Sequence, residues 1–372
     1  MQHLQSAVKK KYSSALSGRH LTFSPTHLAI IHVNGVPFQL RYCPALSKKP
    51  QQASSSTAQT TDKPNPFLNP SDDLLVVQIP SDKPTHNIVM NKYPVIPHHF
   101  ILSTTAFKPQ TGLLEEQDLG TAYSCLREWE AGTSETANSR KPRLFAFFNS
   151  GEHSGASQPH RHIQFLPVED MAADQESDGW SLLADDIFSE TDVSDQCELG
   201  SLLMLCGVAE PEPAQKSASP VMRSHRNIPF AHFASPLSLN PSPSDLHRLY
   251  MSLYEKAVEA VRAHIETKPD DDLKVISTAD GSAAVISYNL ALTTKSMVLC
   301  PRRRGHVTLE VKQTNNADNH VLGPIELNGT VLAGTLMVKT QSDWDKLRNG
   351  QEQTLRDVLI AIGIPRNQNY VQ

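Results

Sequence analysis

The chain has 372 residues, 39% hydrophobic and 20% charged, which allows one large domain or two ordinary ones with a sizeable core. A formal charge of −5 argues against a broad basic surface for nucleic acid or membrane lipid, so a polyanionic ligand would have to meet few, local cations. No apolar run approaches the roughly 20 residues that cross a bilayer, and Met1 to His20 lacks the apolar centre of a secretory signal.

Met1 to His20 reads instead as an ordinary first helix. Lys48 to Asn69 is rich in Ser, Thr, Gln and Pro and reads as a linker. Leu74 to Val77 is a short apolar run suited to a buried strand. Asn87 to Ser103 reads as two strands separated by proline-marked turns. Leu113 to Glu130 carries Leu119, Ala122, Tyr123, Leu126 and Trp129 at helical spacing, with acidic residues in its first turn. Leu144 to Phe148 and Ile163 to Val168 are expected strands. Glu169 to Gln196 is acidic and Ser-rich, with Trp180, Leu182 and Leu183 suggesting a short packed turn inside a solvated insert. Pro211 to Pro220 is a second Pro/Ser-biased break.

Asp245 to Ile265 is an amphipathic helix, followed by strands at Ala283 to Leu292, Met297 to Leu299, Val307 to Val311 and Thr330 to Lys339. Helices at Ser342 to Leu347 and Glu352 to Ile362 close the chain. The order points to an α+β fold with a mainly antiparallel sheet and packed helices. The expected parts are residues 1–170, a connector over 171–222, and 223–372. Cys43, Cys125, Cys197, Cys206 and Cys300 are odd in number and show no C-x-x-C spacing, which points to reduced thiols in the cytoplasm, with the nucleus as a second location.

The informative segment is Asn149 to Gln164, NSGEHSGASQPHRHIQ. It leaves one strand, crosses a loop with two glycines and three serines, and enters another strand at His160. Alternate side chains of a strand share a face, so His160, His162 and Gln164 should point together and Arg161 and Ile163 the other way. Neutral imidazole is a good nucleophile toward phosphorus, and a second imidazole can orient the first or share its charge. A glutamine amide can hold a phosphate oxygen without offering a proton, and a Gly/Ser loop can present backbone N–H groups to phosphates. An H-x-H pair alone is equally a surface feature or a metal fragment.

The whole segment resembles the histidine-triad motif in its glutamine form, as in the galactose-1-phosphate uridylyltransferase branch and, more closely, the fungal diadenosine tetraphosphate phosphorylases (ATP adenylyltransferases). Further matches are NKYPVIPHHFILST (Asn91 to Thr104), IPFAHF (Ile228 to Phe233), SYNLALTTKSMVLCPRR (Ser287 to Arg303) and AGTLMVK (Ala333 to Lys339). The resemblance implies that His162 is the nucleophile, that His160 supports it by hydrogen bonding, and that Gln164 contacts the α-phosphate. It further implies that Asn149, Ser154, Gly155, Ala156, Ser157 and Gln158 cradle phosphates. Asn91, Lys92 and one of Lys48 or Lys49, with Lys49 carried as the candidate, match nucleotide-contacting segments. Asn289, Thr293, Lys295 and Met297 fall in a substrate-contacting stretch.

The implied reaction is phosphorolysis of diadenosine tetraphosphate to ADP and ATP through an AMP-histidine intermediate, with adenylyl sulfate left open as a further substrate. Implied partners are dinucleoside polyphosphates, ATP, ADP and inorganic phosphate, acting on a monomer or homodimer, with no nucleic acid and no membrane. No bound cofactor or protein metal site is expected; magnesium would arrive with the substrate. A dinucleoside polyphosphate hydrolase and a nucleotide-sugar uridylyltransferase are alternatives of the same chemistry. A non-catalytic nucleotide- or metal-binding protein is the alternative of another class. On chemical grounds Arg302 and Arg303 are candidates for distal phosphate contact. Phe230, His232 and Phe233 are candidates for a base pocket. His98, His99, His153, Tyr250 and Tyr254 have structural readings at least as good as functional ones.

Overall fold

The structure is a computed structural model, and it describes residues 3–45, 65–132, 141–188, 222–277, 281–311, 320–350 and 352–366. Lys48 and Lys49, most of the Ser-rich linker and most of the 171–222 connector lie outside them. An N-terminal helix α1 (Leu4–Ser17) leads into the hairpin β1 (His27–Val33) and β2 (Val36–Tyr42). Then come β3 (Leu75–Ile79), β4 (His86–Met90), β5 (Phe100–Thr104), α2 (Glu116–Glu130), β6 (Leu144–Ser150) and β7 (His162–Pro167). Two single-turn helices follow, α3 (Val168–Met171) and α4 (Leu183–Asp186). The C-terminal part supplies β8 (Phe233–Pro236), α5 (Pro243–Thr267), β9 (Tyr288–Leu292), β10 (Ser296–Pro301), β11 (His306–Val311), β12 (His320–Glu326), β13 (Thr335–Val338), α6 (Gln341–Asn349) and α7 (Glu352–Ile362).

Eight strands form one antiparallel sheet in the order β3-β4-β5-β7-β6-β9-β10-β8. The β6–β9 pairing fuses strands from the two halves of the chain, so residues far apart in sequence share one face. A smaller sheet, β1-β2-β13, is closed by a parallel β2–β13 pair, and β11 and β12 form a ribbon. The mainly antiparallel α+β architecture expected from the sequence is the one observed.

Each face of the large sheet is covered for a reason visible in the sequence. One face carries Ile88, Phe100, Leu102, Phe148, Ile163, Phe165, Leu290 and Met297 against α1, α2 and α5. In α5, Leu246, Tyr250, Leu253, Ala257 and Val261 recur at helical spacing and are buried. Each large apolar side chain removed from water contributes on the order of 1.5–3 kcal/mol. Pro243 opens that helix and Ser242 caps it, accepting the Asp245 N–H at 3.1 Å while the Asp245 carboxylate accepts the Ser242 N–H. Helix α2 begins with the equivalent reciprocal pair, Glu115 and Asp118.

The opposite face packs Phe145, Phe147, Leu166, Ala291, Val298 and Cys300 against the small sheet, α4, α6 and α7. The acidic segment after Val168 is less solvated than its composition suggests. Trp180 Nε1–H donates to Gly334 O, Leu182 and Leu183 are buried, and Asp170, Asp174 and Asp185 meet His98, Arg41 and Arg143.

Candidate functional site

The site lies on the face opposite α2 and α5, at the end of the sheet where β7 begins. Register places Asn87 opposite Ser103, Ser103 opposite His162, and Asn149 opposite Asn289. Residues opposite one another in antiparallel strands share a face. Asn87, Ser103, His162, Asn149 and Asn289 therefore form one polar row across β4, β5, β7, β6 and β9. One step along the strands the row is Val89, Ile101, Gln164, Phe147 and Ala291, apolar except for Gln164.

His162 is 3% exposed, and its Nδ1–H donates to the main-chain oxygen of His160 at 2.8 Å. A carbonyl can only accept, so that bond fixes the tautomer and leaves the lone pair on Nε2. Burial pushes the imidazole down to about 4, with the His160 carbonyl offsetting only part of that. The ring is neutral at physiological pH, as a nucleophile toward phosphorus must be.

His160 is fully buried and lies just outside β7, in an isolated bridge to Pro109. Its ring is held from both sides. Asn65 Nδ2 donates to His160 Nδ1 at 2.9 Å, an orientation fixed because Asn65 Oδ1 already accepts the Phe67 N–H at 3.0 Å. His160 Nε2–H then donates to Thr104 O at 2.8 Å. The support that His160 gives His162 thus comes from its carbonyl, while its ring anchors the turn. Phe67 lies against both rings, 5.1 Å from His162 and edge-on to His160 at 5.7 Å.

Arg161 and Ile163 point to the other face, as alternation requires. Arg161 Nη1 donates to Asp118 Oδ2 at 2.8 Å and Glu115 Oε1 at 2.9 Å, and Asp118 also meets His86 Nε2 at 3.0 Å. Burial raises the Asp118 carboxyl, but His86, the Glu115 N–H and Arg161 outweigh it and hold it below the usual carboxylate range. This buried network ties the first residues of β7 to α2.

The β6–β7 ladder stops at Phe147 and Gln164. Beyond it the buried Gln110 side chain completes the pairing. Its Oε1 accepts the His162 N–H at 2.8 Å, and its Nε2 donates to Asn149 O at 2.8 Å and His162 O at 3.2 Å. The glycine loop follows Asn149. Gly155 adopts φ +77°, and a Cβ there would lie 2.8 Å from Leu327 O. Ser154 Oγ donates to Gly151 O at 2.7 Å, which tightens the turn.

Asn149 is buried with Oδ1 accepting from Asn289 Nδ2 at 2.9 Å and from the Gly329 N–H at 2.8 Å. Its Nδ2 has no partner among the described residues. Gly329 makes that contact possible, since a Cβ there would sit 2.8 Å from both Asn149 Oδ1 and Phe147. Asn289 also donates to Ser154 O at 2.8 Å.

His162, His160, Gln164, Asn149, Asn289 and the loop Ser154, Gly155, Ala156, Ser157 and Gln158 are therefore gathered at one place. The other candidates are not. Asn91 follows β4 four residues beyond Asn87, roughly 13 Å along the strand, and binds His99, whose ring lies 6.5 Å from that of Phe147; Lys92 is exposed beside Tyr93. Thr293 Oγ1 accepts the N–H groups of Lys295 and Ser296 in the β9–β10 turn, at the far end of the sheet, and Lys295 is exposed. Met297 sits in the helix-side core, on the opposite face from His162.

The arginine expectation needs correction. Arg302 is 1% exposed and donates to Asn289 Oδ1, Leu327 O and Arg304 O, so it braces Asn289 rather than facing a solvent-borne phosphate. Burial lowers it to about 10. Arg303 pairs with Asp271 at 3.0 Å. Phe230 is buried in the same apolar cluster as Phe147 and lines a cavity with Arg302, Leu327 and Val331, and its carbonyl accepts the His232 Nδ1–H; Phe233 packs toward the helices. His98 meets Asp170 at 2.7 Å, and Tyr250 and Tyr254 belong to the core. His153, in the loop, is lowered by burial; Glu152 opposes this, and Arg302, His306 and Arg304 add to it.

Gln110, Asn65, Phe67, Ser103, Thr104 and Gly329 complete the site and were not singled out from sequence. Among the described residues no group of three or more His, Cys, Asp or Glu is placed to hold a metal ion, and no helix is long and apolar enough to cross a membrane.

Comparison with known proteins gives the family and the fold. Residues 1–178 match the Ap4A phosphorylase N-terminal domain, and residues 226–365 match the ATP adenylyltransferase C-terminal domain. Diadenosine 5',5'''-P1,P4-tetraphosphate phosphorylase 2 of Saccharomyces cerevisiae is 25% identical over 322 residues, covering 84% of this chain and 78% of the relative. Protein APA1 of the same organism is 24% identical over 369 residues, covering 97% and 94%. The fold is that of yeast Ap4A phosphorylase Apa2, with a TM-score of 0.69, 21% identity and 99% of each chain covered. The same yeast protein has been solved in complex with Ap4A and with AMP, each with a TM-score of 0.66 and 20% identity, covering 99% of this chain and 99% and 98% of those chains.

Proposed function

The chain belongs to the Ap4A phosphorylase family, whose members are nucleotidyltransferases, and from that premise we propose that it cleaves diadenosine tetraphosphate with inorganic phosphate through an AMP–His162 intermediate. The observation that carries the proposal is the state of His162: a buried, neutral imidazole with Nδ1–H tied to His160 O and, among the described residues, no hydrogen bond to Nε2, near an amide donor that likewise has no partner among them.

In the first step Nε2 attacks the α-phosphorus of one AMP unit. The bond from that phosphorus to its bridging oxygen breaks, and ATP leaves with the electron pair. The triphosphate is already a weak base, so no general acid is required, which fits glutamine rather than histidine at position 164. His160 O stabilises the positive charge that develops on the ring. Asn149 Nδ2 and the loop N–H groups would hold non-bridging oxygens, and Gln164, half-buried one step along β7, would hold the adenylylated ring's phosphate. In the second step an oxygen of inorganic phosphate attacks the same phosphorus, the N–P bond breaks, and ADP forms. Asn91 and Lys92 remain candidates only for the outer part of the ligand. Any divalent cation would travel with the polyphosphate, and adenylyl sulfate, an activated AMP with a good leaving group, would enter the first step in the same way. The buried free thiols Cys43, Cys125 and Cys300 suit the reducing cytoplasm as the place of action.

The test is a product assay with and without phosphate. Diadenosine tetraphosphate should be consumed to ADP and ATP only when phosphate is present; AMP formed without phosphate would overturn the phosphorylase reading in favour of hydrolysis.

A further inference from the structure

In the polar row across the sheet, four residues have evident work. Asn87 donates to Phe67 O and accepts from Gln78, and His162, Asn149 and Asn289 form the site described above. Ser103 is the fifth. It is fully buried, and its hydroxyl has no hydrogen-bond partner among the described residues.

A buried hydroxyl without a partner is a cost to the folded state, and alanine would suit the resting protein at least as well. Its location suggests why a hydroxyl is there. The Thr104 N–H donates to Arg161 O at 3.2 Å, so Thr104 and Arg161 are a hydrogen-bonded pair and the next pair, Ser103 and His162, is not. Side chains in non-hydrogen-bonded pairs approach most closely, with Cα atoms about 4.5 Å apart. Ser103 Oγ therefore stands beside the imidazole on the β5 side; Asn149 lies on the β6 side, across the Gln110 amide that joins the two strands, and its Nδ2 is also buried with no partner among the described residues. The strand that carries the nucleophile thus has, on either side, one donor with no partner among the described residues.

Resting on the nucleotidyl-transfer reading of His162, we infer that Ser103 is a direct substrate contact: its hydroxyl donates to a non-bridging oxygen of the α-phosphoryl group as that group passes onto His162 Nε2, across the ring from Asn149. The hydroxyl keeps its proton throughout, and no bond to Ser103 forms or breaks. Two neutral donors on opposite sides of the phosphorus would hold its equatorial oxygens while the nucleophile and leaving group lie in line.

The experiment uses full-length protein and diadenosine tetraphosphate radiolabelled in its α-phosphates. Transfer of label to protein is followed in single turnover without phosphate, for wild type, Ser103→Ala, Ser103→Cys and His162→Ala, and Tm is measured for each. Ser103→Ala should label about a hundredfold to a thousandfold more slowly, the cost of removing one transition-state donor, with Tm unchanged or higher. Ser103→Cys, a weaker donor of similar size, should fall between. If Ser103→Ala labels at the wild-type rate while His162→Ala takes no label, the Ser103 contact is refuted and the His162 reading stands. A Tm lower by several degrees in Ser103→Ala would also refute it, since the hydroxyl would then have structural work. If wild type itself takes no label, the reading on which the inference rests fails.

Discussion

Replacing Gln110 tests whether the splayed start of β7 is held by one side chain. Its amide makes three buried hydrogen bonds, to His162 N–H, His162 O and Asn149 O. Each such bond contributes about 0.5–1.5 kcal/mol net, and truncation orphans three buried main-chain groups, so Gln110→Ala should cost about 3 kcal/mol. At about 2 °C per kcal/mol for a chain of this size, Tm should fall on the order of 6 °C. The same groups set the position of the His162 ring, and a misplacement of about 1 Å costs on the order of a hundredfold in rate. Gln110→Glu separates geometry from volume. The carboxylate can still accept the His162 N–H, but it faces two carbonyl oxygens in a buried site. That raises its pKa in the folded state above the unfolded value, so the folded protein favours the protonated carboxyl, which can donate. Stability of this variant is then retained at low pH and lost as pH rises through the folded pKa. Tm and turnover of wild type, Ala and Glu variants at pH 5.5 and pH 8 decide the matter. An Ala variant with wild-type Tm and kcat would show that the bracket does not position the nucleophile.

The remaining expectations follow from the same contacts. His162 and His232, both lowered to about 4 by burial, bind fewer protons folded than unfolded between about 4 and 6.5; their contribution is complete above 6.5 and is lost as pH falls. Urea midpoints should therefore drop between pH 7 and pH 5 by the equivalent of about 2–4 kcal/mol, while turnover shows no His162 limb above about pH 5; flat midpoints would contradict the buried neutral rings. Gly329→Ala sets a methyl 2.8 Å from Asn149 Oδ1 and should lower kcat at least tenfold with a smaller effect on KM; unchanged kcat would mean that Asn149 need not hold its position. Phe67→Ala uncovers His162, so modification of that ring by diethylpyrocarbonate should speed up several-fold, as followed by peptide mapping; an unchanged rate would show that Phe67 is not the cover.

The elements most legible in the sequence were those whose own residues supply the signal. The α5 stripe, with Ser242, Pro243 and Asp245 at its start, and the apolar runs of β6 and β7 are of this kind. The hairpin β1–β2 was missed although its turn is Asn34-Gly35, with φ of 51° and 80° as a tight hairpin demands. Polar and apolar residues do not sort by exposure in β2, because both of its faces are buried: Phe38 and Leu40 on one, and Gln39 and Arg41 on the other, where both side chains donate to Met171 O. The loop and H-x-H row could be read because chemistry and spacing lie in one stretch. Ser103 could not. It sits inside FILST, an apolar strand by pattern, and only register brings it opposite His162. Gln110, Asn65 and Gly329 are likewise delivered by segments whose own sequence says nothing of the site. The opposite error befell Met297: a residue beside a functional stretch was taken with it, although strand parity turns it to the helices.

The charge balance of the chain finds a physical counterpart in this arrangement. A polyanion meeting a protein of net charge −5 would be expected to rely on cations at the reacting phosphorus. Here the groups nearest His162 are neutral: the Asn149 amide, the Ser103 hydroxyl, the Gln110 amide and the loop N–H groups. The guanidinium of Arg302 stands one residue further back and acts through Asn289, while Arg304, His306 and His153 lie toward the loop. Full cations beside Nε2 would stabilise substrate and transition state alike, and would oppose the positive charge that grows on the imidazole as it is adenylylated. Neutral dipoles avoid that conflict. In the proposed reaction they would stabilise the phosphoryl oxygens without repelling the ring. In the proposed reaction Arg304, further out, would be left to face the leaving polyphosphate, whose charge would increase as the bond to the α-phosphorus breaks. Salt should accordingly weaken binding of the dinucleotide, raising KM, while leaving the single-turnover adenylylation rate of saturated enzyme almost unchanged. A labelling rate at saturation that falls in parallel with affinity as ionic strength rises would place cations at the reacting centre and contradict this division of labour.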